Sequence, residues 1–380
     1  MPRIASHTGA VPGSGIRAVA DAAWALGGEI NWLVAGEPVG PIAPHIGEAA
    51  NAAWLAGLTR YTQNAGVPEF REAVAAWLRD GIGAEVAADR VWATIGGTQA
   101  LYQAIGLVLD PGEEILVPDP GYTTFTMAAR YHSAVPVPYP LRVDAGFLPE
   151  IEVLERLVTP RTRAILVNSP SNPLGTVVDE SLARELLDFA RRHDLWVISD
   201  EVYERLTWAA PHVSLTALDD EERVLGVFSF SKMYAMTGIR VGALVAPRAF
   251  DPSLRAIQEA VISCVNEPAQ FAAIAALTGP QEHVEEARAH YLENYRAGVA
   301  VLEAKGLRHV TPGGAFYFWI DVSHASGGDV AAWCIEFLRT ARVAVAPGSA
   351  FGAEGEGWIR VCYAGERNAL LAGLEALPTA

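Results

Sequence analysis

Between about residue 90 and residue 246, short apolar runs alternate with helical stretches, and few architectures accept that rhythm. Val91–Ile95, Glu114–Val117, Arg163–Val167, Leu195–Ser199, Val224–Phe228 and Val241–Val245 read as strands. Amphipathic segments such as 98–109 and 179–192 lie between several of them. Near-continuous apolar strands are buried on both faces, and intervening helices supply the cover. The expectation is an α/β fold with a mostly parallel sheet, covered by helices, in a large domain.

After a helical region over roughly 251–305 the pattern changes. Gly314–Ile320 reads as a strand and 329–340 as a helix; two short strands and a final helix near 366–377 follow. At the other end, Ile16, Val19, Ala20, Ala23 and Leu26 recur at helical spacing over 16–27. Both ends fall outside the sheet region, so a smaller α+β domain built from the two chain ends is expected. The division reads as 1–40 for an N-terminal arm and helix packed on the small domain, 41–278 for the large domain, and 279–380 for the small one.

The 380 residues carry a net charge of −16, with 51% hydrophobic and 19% charged residues. A large core follows, and long disordered stretches do not. No basic stretch offsets the acidity, which argues against nucleic acid and anionic membranes as partners. Cys264, Cys334 and Cys362 are far apart and show no metal spacing, so no metal is expected and a reducing cytoplasm is. Met1-Pro2-Arg3-Ile4 leads into a polar arm unlike a secretory leader, and no apolar run approaches about 18 residues.

The most chemically informative run is Ser229-Phe230-Ser231-Lys232-Met233-Tyr234-Ala235-Met236-Thr237-Gly238-Ile239-Arg240. One lysine lies between two hydroxyls, in a hydrophobic segment with a single further charge. An aldehyde cofactor bearing a phosphate needs such a set. The amine closes a Schiff base, while Ser229, Ser231 and Arg240 gather donors around a dianion. Gly96-Gly97-Thr98-Gln99 follows the first strand and opens a helix, with Thr98 as the expected N-cap and free N–H groups for an anion. Many α/β proteins begin a helix this way, and the G-x-G-x-x-G spacing of a nicotinamide site is absent.

Asn168-Ser169-Pro170-Ser171-Asn172-Pro173 and Ser199-Asp200-Glu201-Val202-Tyr203 each follow a strand. Ligands of doubly wound sheets sit at the carboxyl ends of strands, which puts Asn172 and Asp200 at one crevice. A buried carboxylate needs a cation or donors, and a protonated pyridine nitrogen supplies one. Separately, each of these features also reads as a turn or a helix cap.

Together, in this order, these motifs resemble the fold-type I pyridoxal-phosphate enzymes, specifically the class I/II aminotransferases related to aspartate and aromatic aminotransferases. The resemblance runs from Leu33-Val34-Ala35-Gly36-Glu37-Pro38 to Arg360. It implies pyridoxal 5'-phosphate as cofactor and amino acids and 2-oxo acids as substrates, in a ping-pong reaction. Lys232 matches the Schiff-base lysine, Asp200 the partner of the pyridine nitrogen, and Asn172 and Tyr203 the pair on the ring hydroxyl. Tyr122 matches the aromatic stacked on the ring. Gly97, Thr98, Ser229 and Arg240 match the phosphate cradle, to which Gln99 and Ser231 are adjacent. Arg360 resembles the arginine that grips the substrate carboxylate, and Gly36 fits a backbone contact beside it. Tyr61, in Arg60-Tyr61-Thr62-Gln63-Asn64, resembles the tyrosine that reaches the neighbouring subunit's phosphate, which implies a homodimer with shared sites.

The departures concern the substrate side chain. Thr98 stands where some aspartate-preferring relatives carry a lysine, and the loop Ser263–Pro268 looks shorter and contributes an acid. Arg17 is a candidate for a distal carboxylate, against the simpler reading of a solvated helix face. Relatives on the same scaffold act as β-lyases or cyclopropane-forming synthases, and others serve as effector-sensing regulators with an added DNA-binding domain.

Overall fold

The computed structural model describes residues 2–38, 40–208 and 210–380; Met1, Val39 and Ala209, which fall inside the expected segments, lie outside them. Its strands, in chain order among the described residues, are β1 (Asn31–Trp32), β2 (Val91–Thr94), β3 (Glu114–Asp119), β4 (Val135–Pro140), β5 (Thr162–Asn168) and β6 (Trp196–Asp200). Then come β7 (Val224–Ser229), β8 (Gly242–Val245), β9 (Tyr317–Asp321), β10 (Val343–Ala344), β11 (Ala346–Pro347) and β12 (Trp358–Cys362). Seven of them form one sheet in the order β2-β8-β7-β6-β5-β3-β4. Only β8 runs antiparallel to its neighbours.

Side-chain alternation splits this sheet between two cores. Ile165, Val167 and Val197 join the cluster under the helix Glu180–Arg192, whose Leu186 and Phe189 are fully buried. Ala164, Leu166 and Ile198 join the cluster under the helix Gly96–Val108. Strands sealed on both faces must be apolar throughout, which is why they stood out in the sequence.

β4 did not, because Pro136, Pro138 and Pro140 interrupt it. It survives as an edge strand. Its parallel register with β3 sends the odd-numbered N–H groups inward and the prolines to the open side, where no donor is missed. The segment expected as a strand over Gly314–Ile320 is strand only from Tyr317. Ala315 has a positive φ of 57° and its N–H donates to Leu206 O at 2.8 Å, so the chain is drawn across to the loop after β6 instead.

β9, β11 and β12 form a separate antiparallel sheet in the order β11-β12-β9. β1 pairs in parallel with β10, joining the N-terminal segment to the C-terminal part. The first long helix, Gly15–Leu26, packs against Val330–Ala341, β10 and β11. The region 251–305 is three helices, Asp251–Val261, Glu267–Thr278 and Glu282–Ala304. No described helix is long and apolar enough to cross a membrane.

Candidate active site

Every strand of the large sheet that carries a singled-out residue delivers it at its carboxyl end. β5 ends at Asn168, β6 at Asp200 and β7 at Ser229, and the helix after β2 opens at Gly96. Lys232 sits on a single helical turn, Phe230–Met233, whose N-cap Ser229 accepts at Oγ from Ser231 N–H at 3.2 Å. The lysine points across the crevice, and its Nζ donates to Gly36 O at 2.6 Å. Burial, and then the Arg360 guanidinium, lower its pKa to about 8.

Asp200 is 3% exposed, and the one hydrogen bond its carboxylate accepts among the described residues is a long one, 3.4 Å, from Val202 N–H. Burial pushes this carboxyl up to about 7. Asn168 Nδ2 donates to Asp200 O at 3.1 Å, and Asn168 Oδ1 accepts from Asn172 N–H at 2.8 Å, so the ends of β5 and β6 are tied together. Tyr203 is buried, and its hydroxyl meets that of Tyr317 on β9 at 2.6 Å. Burial first, then Tyr317, hold the Tyr203 phenol well above its ordinary pKa.

Arg360, on β12, reaches the same crevice from the second sheet and is 2% exposed. Its Nη1 donates to Asn172 Oδ1 at 2.9 Å and its Nη2 to Val34 O at 2.6 Å, while its buried Nε has no partner among the described residues. The guanidinium carbon lies 4.5 Å from the Tyr317 ring centre and 5.0 Å from that of Phe351. Two aromatic faces thus fix its plane, and carbonyl and amide oxygens hold its donors in a fork suited to a carboxylate.

The phosphate-side residues also converge. Gly96 has a φ of +69°, and a Cβ there would sit 2.7 Å from Arg240 Nη2. A Cβ at Gly97 would sit 3.4 Å from the Ser229 Cβ and 3.1 Å from a Val202 methyl. Arg240 donates to Thr237 O at 2.7 Å and Ile95 O at 3.4 Å, facing the start of the helix after β2. Thr98 is not the N-cap expected of it. That helix begins at Gly96, its cap Ile95 has no side-chain bond of its own, and Thr98 lies exposed in the first turn. The Gln99 side chain folds back so that Oε1 accepts from Ile95 N–H at 2.5 Å, which commits the side chain to the helix start.

Gly36, Asn172, Asp200, Tyr203, Lys232 and Arg360 are therefore one connected group, beside the cluster of Gly97, Ser229 and Arg240. Ser231 is buried next to it. Tyr122 is half-buried and packs edge-on against Phe125 at 5.7 Å. Tyr61 stands apart, 89% exposed on the loop after the helix Pro44–Leu55. Arg17 is on a solvated helix face, its guanidinium carbon 5.5 Å from the ring centre of the exposed Trp24.

Sequence reasoning missed Tyr317. It read as one aromatic in a core strand, yet it joins Tyr203, underlies Arg360, and comes so close to Gly36 that no side chain fits there. Among the described residues no group of His, Cys, Asp and Glu forms a metal cluster.

The family model for aminotransferase class I and II matches residues 29–377. The chain belongs to the class I and II aminotransferases. A probable aspartate/prephenate aminotransferase of Thermus aquaticus is 37% identical over 340 residues, 88% of each chain. An aromatic-amino-acid aminotransferase of Thermococcus litoralis is 35% identical over 92% of this chain and 91% of that one. A solved single mutant of Thermus thermophilus aspartate aminotransferase superposes with a TM-score of 0.94 at 34% identity, covering 99% of both chains. This aminotransferase is thus a transferase on an α/β scaffold, with a mostly parallel sheet and amino and 2-oxo acids as its substrate classes.

Proposed function

We propose that this aminotransferase works with pyridoxal 5'-phosphate and moves an amino group between an amino acid and a 2-oxo acid by a ping-pong mechanism. One observation carries the reading: among the described residues a buried carboxylate, Asp200, has no ion-pair partner, in the crevice that a buried lysine also enters. A carboxylate in that position calls for a cation, and a ring nitrogen bearing a proton fits it. When bound, the cofactor supplies an aldehyde that takes the amino group and a cationic ring that accepts the electron pair left at the substrate Cα.

The residues then divide the work. Asp200 keeps the ring nitrogen protonated. Asn172 and Tyr203 donate toward the ring hydroxyl, and Tyr122 packs on the ring and fixes its plane. Gly97, Thr98 and Gln99 offer backbone N–H groups to the phosphate, with the Ser229 and Ser231 hydroxyls and the Arg240 guanidinium beside them. Arg360 takes the substrate α-carboxylate in its fork, next to Gly36 and Asn172, and thereby orients the Cα–H bond. Lys232 anchors the cofactor and, once freed, carries the proton between Cα and the cofactor at Nζ. A lysine near ~10.4 is a poor base at neutral pH; its lowering to about 8 supports the role.

Residues 41–278 serve as the cofactor domain, and 279–380 with the first 40 residues form the smaller domain that brings Arg360. Tyr61 is too exposed to serve its own crevice, which supports a homodimer in which it reaches the partner's phosphate. Purified protein given a panel of amino acids with pyruvate or 2-oxoglutarate tests the reading. A swapped amino group is expected; release of ammonia or a cleaved side chain instead assigns the protein to the lyases.

A further inference from the structure

Behind Asp200 lies a second buried carboxylate that the mechanism above does not use. Alternation along β6 puts Ser199 on the face opposite Asp200, and Glu201, the residue after the strand, joins Ser199 there by a hydrogen bond. Glu201 and His212 are 1% and 2% exposed, and His212 Nε2 lies 2.8 Å from Glu201 Oε2. The other carboxylate oxygen accepts from Ser199 Oγ at 2.9 Å, Thr216 Oγ1 at 2.7 Å and Thr216 N–H at 3.1 Å. Burial works against this carboxylate, but the donors from His212, Ser214 and Thr216 hold its pKa below the ordinary value. Donors on both oxygens favour the ionised form.

The hydrogen bonding around His212 favours its neutral ring. Its Nδ1 is buried and has no partner among the described residues. An imidazolium would bury an unpaired N–H there, whereas a neutral ring donating through Nε2–H leaves only a bare lone pair. The pair then carries one net negative charge. The other groups facing it are few. Glu204 is buried, both its side-chain oxygens lack partners among the described residues, and burial raises it to about 8, so near pH 7 it is largely neutral and adds little charge. Arg205 faces Glu204. Asp200 lies on its other side, with Lys232 beyond it.

We propose that Glu201, held ionised by His212, Ser199 and Thr216, is a positioning residue whose charge acts through the end of β6 to strengthen the hold of Asp200 on a protonated ring nitrogen. Two like charges on adjacent buried residues disfavour one another unless a cation sits between them and the solvent. The bound ring nitrogen is that cation, and a second carboxylate behind the first makes its deprotonation harder. His212 serves as the donor that keeps Glu201 charged. The inference rests on the cofactor reading given above.

The test uses the full-length protein loaded with pyridoxal 5'-phosphate labelled with nitrogen-15 in the ring, and follows the ring-nitrogen resonance and the visible absorption of the bound cofactor against pH. In the wild-type protein the nitrogen should lose its proton only toward the alkaline end of the accessible range, and that midpoint is the reference. Glu201→Gln keeps the shape and loses the charge, and the ring nitrogen should then lose its proton at a pH lower by on the order of one unit or more, as expected when a neighbouring buried charge is removed. Thr216→Val, which removes one donor and leaves the carboxylate, should shift it in the same direction by less, and serves if the glutamine variant does not fold. Variants that lower the melting temperature while leaving the nitrogen titration unmoved would make Glu201 a structural tie and overturn the proposal. A wild-type protein that takes up no labelled cofactor would instead overturn the cofactor reading beneath it.

Discussion

Arg360→Lys should weaken every substrate by a similar factor. The native guanidinium is buried between the Tyr317 and Phe351 rings, its Nη atoms on Asn172 Oδ1 and Val34 O, and its Nε unpaired among the described residues. A carboxylate entering this fork gains two parallel charged hydrogen bonds. Lysine keeps the charge but presents a compact ammonium, which cannot span the fork. Losing one charged hydrogen bond costs about 1.5–3 kcal/mol, and at 1.4 kcal/mol per tenfold this is roughly a 10- to 150-fold rise in KM. Steady-state kinetics over several amino donors and 2-oxo acceptors measures it. Alkylamines without a carboxylate should be unaffected relative to the wild-type protein. A defect confined to one substrate, or an equal defect for the amines, would show that Arg360 does not read the α-carboxylate. A companion variant tests the electrostatics: after burial, Arg360 is the largest influence lowering Lys232. Arg360→Met removes that positive charge, so Lys232 should titrate above about 8 in the apoprotein, while Arg360→Lys leaves it nearly in place. The pH dependence of Lys232 acylation reads this directly, and an unmoved or lowered value contradicts it.

Asp200→Asn should have opposite effects with and without cofactor. A carboxyl raised to about 7 by burial favours its protonated form in the folded chain, so its contribution to stability falls as pH rises from the unfolded value through 7. At pH 8 the apoprotein variant should therefore be more stable than the wild type, by on the order of 4 kcal/mol at most, while the cofactor-loaded variant loses rate and affinity. Thermal melts of both forms check this; an apoprotein destabilised at pH 8 would contradict it. Mixing Tyr61→Ala with Lys232→Ala under subunit exchange should regain activity, because the site with an intact Lys232 receives its partner's unmutated Tyr61. Verified mixed dimers that stay inactive, or a protein that remains monomeric, would defeat the shared site.

The large sheet was legible because its strands are sealed on both faces, so burial wrote itself into unbroken apolar runs. β4 was not, since an edge strand tolerates prolines that would break a central one. The connected residues Asp200, Lys232 and Arg360 were legible through motif order, as each combines an unusual residue type with a strand end or tight turn. Tyr317 carried no such mark: its role arises from the pairing of β9 with β12 across the chain, and a long-range register leaves no local trace. Thr98 was misread for a related reason. The helix is started by Gln99 reaching back to Ile95 N–H, a four-residue loop-back that hydroxyl preference alone does not suggest.

The proposed function stands or falls on Lys232 as the residue that binds the cofactor covalently. Borohydride reduction of the protein loaded with pyridoxal 5'-phosphate, followed by proteolysis and mass spectrometry, tests it most directly. A visible absorption band that disappears on reduction is expected, with one stable adduct per chain, on Lys232, and none in Lys232→Ala protein that still folds. An adduct on Lys305, the other lysine of the chain, or no adduct in protein shown to contain the cofactor, would contradict it.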